Sequence, residues 1–334
     1  MADKPATGET PFILASECHI FGDMEHINYF PAFKLWQHGG RALARYWIGE
    51  DNPLFQRKYG GEPQRWTAEK LIEDLDQAGI DMAFLLREPF MDVTLGSTSI
   101  STNGQMAIEA AKYPDRLLVE INVGPILRRG VDSAIWELRY WVDEHGIRLC
   151  KVYAPEDGPL NDPALWPFYK VAEELGVVLT VHTGLAYVQP QYSKYSHPGL
   201  LDDVCNAFPS LGVIAYHMGW PYHEELIGMC AKHPNLYMSV SGIIGWYTLS
   251  PYRGYHHIGQ AIQQAGVDKI VFGLDWPGVD PVACVDYMLR LQIPEELREN
   301  WGYREITDED RAKMLGLTLA RLAGVTPTKK VPPR

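Results

Sequence analysis

Eight short apolar runs alternate with helical stretches along nearly the whole chain. No other feature limits the fold as much. The runs fall at 12–15, 80–86, 117–123, 147–152, 177–181, 212–216, 236–240 and 269–272. Helical patterns lie between them, at 67–78, 103–112, 131–144, 163–175, 198–208, 224–232 and 258–265, and a closing helix is expected over 308–322. The stretch 67–78 shows the logic. Thr67 stands at the cap, Lys70 takes the capping-box position where Glu is usual, apolar residues recur at 68, 71, 72, 75 and 78, and Gly79 stops the helix. Alternating strand and helix units favour a parallel sheet with helices outside. Eight units in one unbroken series favour a closed (β/α)8 TIM barrel over an open doubly wound sheet. No GxGxxG follows the first run, which counts against a dinucleotide-binding fold.

Length allows this. A chain of 334 residues could hold two domains, but barrels of this kind run as one. The expected organisation is therefore a single barrel domain over 1–325 and a loose Pro/Lys-rich tail over 326–334. One connection is too long for an ordinary loop, that from Phe21 to about Trp66. It carries Tyr29, Phe30, Phe33, Trp36, Tyr46 and Trp47. The segment 22–66 is read as an insertion folded like a lid over one mouth of the barrel.

Composition excludes several function classes. Thirty basic and forty-two acidic residues give a net charge of −12, which argues against nucleic acid or an acidic membrane as partner, since both select a basic face. No apolar stretch approaches the roughly 18 residues of a membrane span, and the first ten residues lack the apolar core of a secretory signal. Five scattered cysteines (18, 150, 205, 230 and 284) form no CxxC pair and read as reduced thiols of a cytoplasmic protein.

Chemistry in such barrels collects at the C-terminal ends of the strands. Glu17 and His19 follow the first run, Lys151 the fourth, His182 the fifth, His217 the sixth and Asp275 the eighth. Strand alternation puts Glu17 and His19 on one side and Cys18 on the other. Taken singly, a histidine at a strand end is most often a satisfied structural residue, and an Asp before Trp-Pro is most often a turn residue. Carboxylates and imidazoles converging from four strands are harder to attribute to chance, and they suit a divalent transition metal.

Four segments carry a specific resemblance: Glu17-x-His19, Val181-His182-Thr183-Gly184, Tyr216-His217-Met218-Gly219 and Phe272-Gly273-Leu274-Asp275-Trp276-Pro277. As a set they resemble the amidohydrolase superfamily, in particular its amidohydrolase-related branch of aminocarboxymuconate-semialdehyde and resorcylate decarboxylases. Lys151-Val152-Tyr153, Asp162-Pro163 with Trp166, and Ile306-Thr307 leading into Arg311–Leu315 are also similar. The similarity runs from residue 12 to 325. Two positions depart from the commoner pattern: Glu17 replaces the first His of His-x-His, a form this branch also uses, and Thr318 stands where the closing helix usually has Asn.

The resemblance implies a metal-dependent hydrolase-type barrel, with Glu17, His19, His182 and Asp275 as metal ligands and His217 as the acid/base residue. It implies a divalent ion (zinc, manganese or iron), one ion being the expectation and two the alternative. His217 and Lys151 are the possible additional ligands. In binuclear relatives a fourth-strand Lys is carbamylated and bridges two metals; the other reading of Lys151 is an ion pair near the rim. Arg87, after the second run, either clamps a substrate carboxylate or pairs with Glu88 or Asp92. Trp220, Tyr222, Trp246, Tyr247 and Trp276 fall near the same strand ends, where they would line a flat pocket or pack in the core. His223, His256 and His257 are loop imidazoles that would contact substrate or solvent.

The function expected from this set is non-oxidative decarboxylation of a small aromatic or unsaturated carboxylic acid. The alternatives are hydrolysis of an amide, lactone or ester, and a dinuclear iron or manganese oxygenase acting on a small acid. A metal-bound structural subunit of a hetero-oligomer fits an intact ligand set poorly. A homodimer is the expected assembly.

Overall fold

The computed structural model describes residues 10–20, 22–23, 49–51, 55–56, 65–87, 101–186 and 191–332. Eight strands make the barrel: β1 (Leu14–Cys18), β2 (Met82–Leu86), β3 (Leu117–Asn122), β4 (Leu149–Val152), β5 (Val178–Val181), β6 (Val213–Ala215), β7 (Leu236–Ser239) and β8. β8 is interrupted at Phe272. Its first half, Ile270–Val271, pairs with β7, and its second half, Gly273–Trp276, pairs with β1. Every pairing is parallel and follows chain order, so the sheet closes on itself.

Helices cover the outside: α1 (Ala68–Ala78), α2 (Asn103–Ala111), α3 (Val131–His145), α4 (Trp166–Glu174), α5 (Leu201–Ala207), α6 (His223–Lys232), α7 (Ile243–Leu249), α8 (Pro251–Gln264) and α9 (Pro281–Leu289). α1 forms for the reasons legible in its sequence. The Thr67 hydroxyl accepts from the Lys70 amide at 3.3 Å, and Gly79 closes the helix in the left-handed conformation. Lys70 does not complete the capping box; its ammonium turns forward to Asp74 at 2.9 Å. α7, α9 and a further helix, Glu295–Trp301, escape the periodicity reading. The sequence IIGWYTL of α7 and PVACVDYML of α9 are apolar nearly all round, so neither shows a clean stripe.

Alternation along the strands separates two cores. Outward residues such as Ala15, Leu85, Ile121, Cys150, Leu179, Ala215, Met238 and Leu274 pack beneath the helices. Inward residues Leu14, Met82, Phe84, Leu149, Val178, Ile214 and Val271 fill the N-terminal half of the barrel. Leu319, Ala320 and Ala323, from the closing helix Thr318–Ala323, plug that floor together with Phe12. The closing segment contains a wide π-helical turn at Lys313–Leu317, where Gly316 lies so close to the Phe12 carbonyl that a Cβ would stand 2.6 Å from it.

The ends of the long insertion are clasped by a two-residue antiparallel ladder, Gly22–Asp23 against Arg65–Trp66, and Phe55 is buried. Tyr29, Phe30, Phe33, Trp36, Tyr46 and Trp47 lie outside the described residues, as does the placement of the lid they would form. The C-terminal tail, expected to be loose, is anchored on buried Asp81. Its carboxylate accepts from the amides of Lys330 and Val331 and from the Lys329 ammonium, at 2.7, 3.1 and 2.9 Å. Among the described residues no helix is long and apolar enough to cross a membrane, and all five cysteines are buried thiols.

Candidate metal centre

Glu17 reaches the barrel mouth by a break in alternation. Leu14 points inward and Ala15 outward, so strict alternation would turn Glu17 toward the helices. Its backbone instead adopts φ 58°, and the register shifts between Ser16 and Cys18 on the pairing with β8. This bulge reverses the parity, turning Glu17 inward and Cys18 into the outer core. His217, Met218 and Asp275 share the left-handed region, at φ 62°, 46° and 59°. Such conformations cost about 1–3 kcal/mol each in non-glycine residues and persist where surrounding structure enforces them. Among the described residues all four cases lie at this end of the barrel. Gly242, at φ 68°, leaves the room: a Cβ there would stand 3.0 Å from both Asp275 Oδ2 and His217 Nδ1.

Glu17, His19 and Asp275 each offer an atom within 4.8 Å of the others. His19 Nε2 lies 3.5 Å from Asp275 Oδ1 and 3.9 Å from Glu17 Oε1. The imidazole tautomers follow from their carbonyl partners, because a carbonyl can only accept. His19 Nδ1 donates to Leu86 O at 3.1 Å, His182 Nε2 to Leu185 O at 3.2 Å, and His217 Nδ1 to Ser241 O at 3.0 Å. In the neutral rings the opposite nitrogens are therefore acceptors. Two of them, His182 Nδ1 and His217 Nε2, face each other at 3.0 Å. Two lone pairs cannot bond each other, so the pair calls for a positive centre beside it. Burial first, and then the cost of a second positive charge beside His217 and the Lys151 ammonium, holds His182 well below the usual imidazole range and hence neutral. Two carboxylates and the backbone-anchored His19 form the close group, a donor set that fits a divalent transition ion. His182 and His217 face each other outside that 4.8 Å group, with His217 Nδ1 3.8 Å from Glu17 Oε2.

Lys151 takes the ion-pair role. Its ammonium donates to Glu17 Oε1, while the Ser241 hydroxyl donates to Oε2. The same ammonium sits 3.9 Å above the Tyr216 ring. Below them, Glu120 on β3 is fully buried. Burial pushes its carboxyl up to about 7, against the opposing pull of the Lys151 charge and of hydroxyl donors from Thr180 and Tyr216.

Arg87 lies at the same mouth, buried, with Nε and Nη2 each donating at 2.7 Å to the carbonyls of Asn122 and Gly124. Glu88 and Asp92, its alternative partners, lie outside the described residues. The aromatics divide. Trp220 and Trp246 pair at 5.5 Å, and Tyr153 stands 5.0 Å from the His182 ring. Trp276 instead points outward, donating to Asp74 on α1 at 2.9 Å, because it is the outward partner of inward Asp275. Tyr247 is core, bonded to His257 at 3.0 Å. His223, His256 and His257, expected in loops, lie on helices α6 and α8; the His223 and His257 rings meet at 3.9 Å with a 35° tilt, and His256 bonds Tyr303 at 2.9 Å.

Ser241 and Glu120 escape the sequence reading. A lone acid in LLVEINV and a serine two residues beyond another in SVSG, just past the end of β7, were the available signals.

Residues 26–324 match the amidohydrolase family model. The chain belongs to the amidohydrolase family. Solved structures share the fold over nearly the full length. A TIM-barrel protein from Bordetella bronchiseptica is 20% identical with a TM-score of 0.67, covering 93% of this chain and 98% of its own. 5-Carboxyvanillate decarboxylase from Sphingomonas paucimobilis is 16% identical with a TM-score of 0.60, over 95% of this chain and 100% of its own. A dihydroxybenzoic acid decarboxylase from Polaromonas sp. JS666, solved with manganese and the inhibitor 2-nitroresorcinol, is 18% identical with a TM-score of 0.58, over 94% and 97%. At these identities the likeness establishes the barrel.

Proposed function

We propose that this amidohydrolase is a metal-dependent lyase that decarboxylates a small aromatic or conjugated carboxylic acid. The carrying observation is the set of inward acceptors, Glu17, His19 and Asp275 within 4.8 Å of one another and His182 Nδ1 aimed at His217 Nε2. Glu17, His19, His182 and Asp275 would hold one divalent ion, manganese, zinc or iron. Bound there, it would supply Lewis-acid polarisation of a substrate oxygen beside the carboxylate. The decarboxylases of the same fold, one of them solved with manganese, support this reading.

The chain's own residues do the rest. His217 is held at Nδ1 by the Ser241 carbonyl, which leaves Nε2 as the proton-handling atom. Its task is to take up a proton at Nε2 from solvent and pass it to the ring carbon as the carbon–carboxyl bond breaks, its electron pair stays on that carbon and carbon dioxide leaves. Arg87 and Lys151 place two positive charges at or beneath the mouth of an otherwise acidic protein, which favours an anionic substrate. Trp220, Trp246 and Tyr153 supply flat surface for a planar ring.

One observation favours a second reading. His217 Nε2 points at His182 Nδ1, as a further ligand would. With His217 and Lys151 both in coordination, the site would take two ions and suit hydrolysis or oxygenation. Metal analysis followed by a screen of small carboxylic acids separates the two: one ion and carbon dioxide release support decarboxylation, and two ions without it refute that reading. Exposed Trp136, Tyr140, Tyr252 and Trp301 support a homodimer. A monomeric mass by light scattering at micromolar concentration would refute that part.

A further inference from the structure

One level below the metal centre, inward positions of β3, β4 and β5 carry Glu120, Lys151 and Thr180, and the residue directly after β6 is Tyr216. All four are buried, Glu120, Thr180 and Tyr216 completely. In the layer beneath, the same strands β4, β5 and β6 present Leu149, Val178 and Ile214. An apolar filling of the middle layer was therefore open to this barrel, and burying ionisable groups costs free energy unless they are paired.

The contacts form one chain. Thr180 Oγ1 donates to Glu120 Oε1, and Tyr216 Oη donates to Glu120 Oε2 at 2.8 Å. Two hydroxyl donors on two carboxyl oxygens suit the ionised, acceptor-only form. The hydrogen bond fixes the plane of the Tyr216 ring. Donation to an anion also raises electron density in the ring, whose face carries the Lys151 ammonium at 3.9 Å. That ammonium donates to Glu17 Oε1, opposite the Ser241 hydroxyl on Oε2.

We infer that Glu120 is a positioning residue of the metal centre: it seats Lys151 on the Tyr216 ring, and Lys151 in turn sets the orientation of Glu17. The inference rests on the metal reading above. Outer partners of metal ligands commonly change affinity by about 10–100-fold when removed. Here the partner acts through two intermediaries, Tyr216 and Lys151.

The test uses metal-free protein labelled with 13C at lysine Cε, followed by manganese titration of the same samples. Lys151 lies over an aromatic face, so its ε-methylene protons are shifted upfield by the ring current, and Lys151→Met identifies the signal by its loss. Glu120→Gln keeps shape and removes charge. The expected result is movement of that signal toward the ordinary lysine position at pH 8, with manganese affinity about 10-fold weaker. Tyr216→Phe, which removes only the hydroxyl, should move the signal the same way and serves if Glu120→Gln does not fold. In a Lys151→Met background Glu120→Gln should change affinity no further. An unmoved Lys151 signal, or an equal loss of affinity with and without Lys151, overturns the inference. A wild-type chain that binds no manganese removes the metal reading instead, while the Lys151 signal still decides the positioning role.

Discussion

The two ends of one barrel interior are built on opposite terms. At the floor, Leu14, Met82, Phe84, Leu149, Val178, Ile214 and Val271 obey strict alternation, keep ordinary strand backbone and pack against the closing helix. At the mouth, Glu17, His217, Met218 and Asp275 adopt left-handed conformations, β1 carries a bulge, and charged groups are buried within a few ångströms of one another. The floor lowers the free energy of the fold through apolar burial. The mouth raises it through strain and desolvation, and the rest of the molecule offsets the difference. Cost concentrated at one end marks where function was placed.

Substitutions should separate the ends. The largest effect is expected at the mouth. His19→Ala, removing an acceptor from the donor set, should lower turnover by more than about 10³-fold while thermal stability of the metal-free protein stays unchanged or rises; retained activity would break the contrast. Next, His217→Asn keeps a polar group but cannot take up and release a proton, so turnover should fall by about 10²–10⁴-fold with metal retained. Asp275→Asn should lose rate and metal affinity together. If His217→Asn also sheds metal, His217 is a ligand and the two-ion reading gains.

At the floor, Ile214→Ala should cost about 2–5 kcal/mol of stability through lost burial and a cavity and leave manganese affinity unchanged. Denaturant unfolding beside metal titration checks both halves. A smaller effect sharpens the boundary between the regions. His223 props the strained turn by donating from Nδ1 to the Met218 carbonyl at 3.0 Å, and burial lowers its ring from the ordinary 6.5 to about 4. Between those values the unfolded chain binds the proton more readily. Stability contributed by the neutral ring is therefore complete above about pH 6.5 and falls as pH drops toward 4, by on the order of 3 kcal/mol. His223→Gln, which keeps a donor for Met218, should flatten that slope; an unchanged slope would assign acid sensitivity to other groups.

The same contrast explains what the sequence reveals. The floor and helical shell follow from periodicity, since regular alternation and amphipathic spacing are what a periodic reading detects. β1 is legible as apolar 12–15, yet its working end, through Glu17 and Cys18, breaks the pattern at the bulge. Glu17, His19, His182, His217 and Asp275 are recognisable by residue type and strand-end position. Glu120, Ser241 and the tethering of the tail at Asp81 are not, because each depends on contacts between residues far apart in the chain. Lys151 could be placed at the rim from sequence, but only the fold shows which carboxylate it meets.

The central claim is that the mouth is a preformed site for a divalent ion. It is tested most directly by metal stoichiometry, in wild type and His182→Ala, after chelator dialysis and reconstitution with manganese. The account predicts about one tightly held ion per wild-type chain and loss of most of it in His182→Ala, with both proteins folded by circular dichroism. Equal occupancy in the two proteins, or none in the folded wild type, would contradict it.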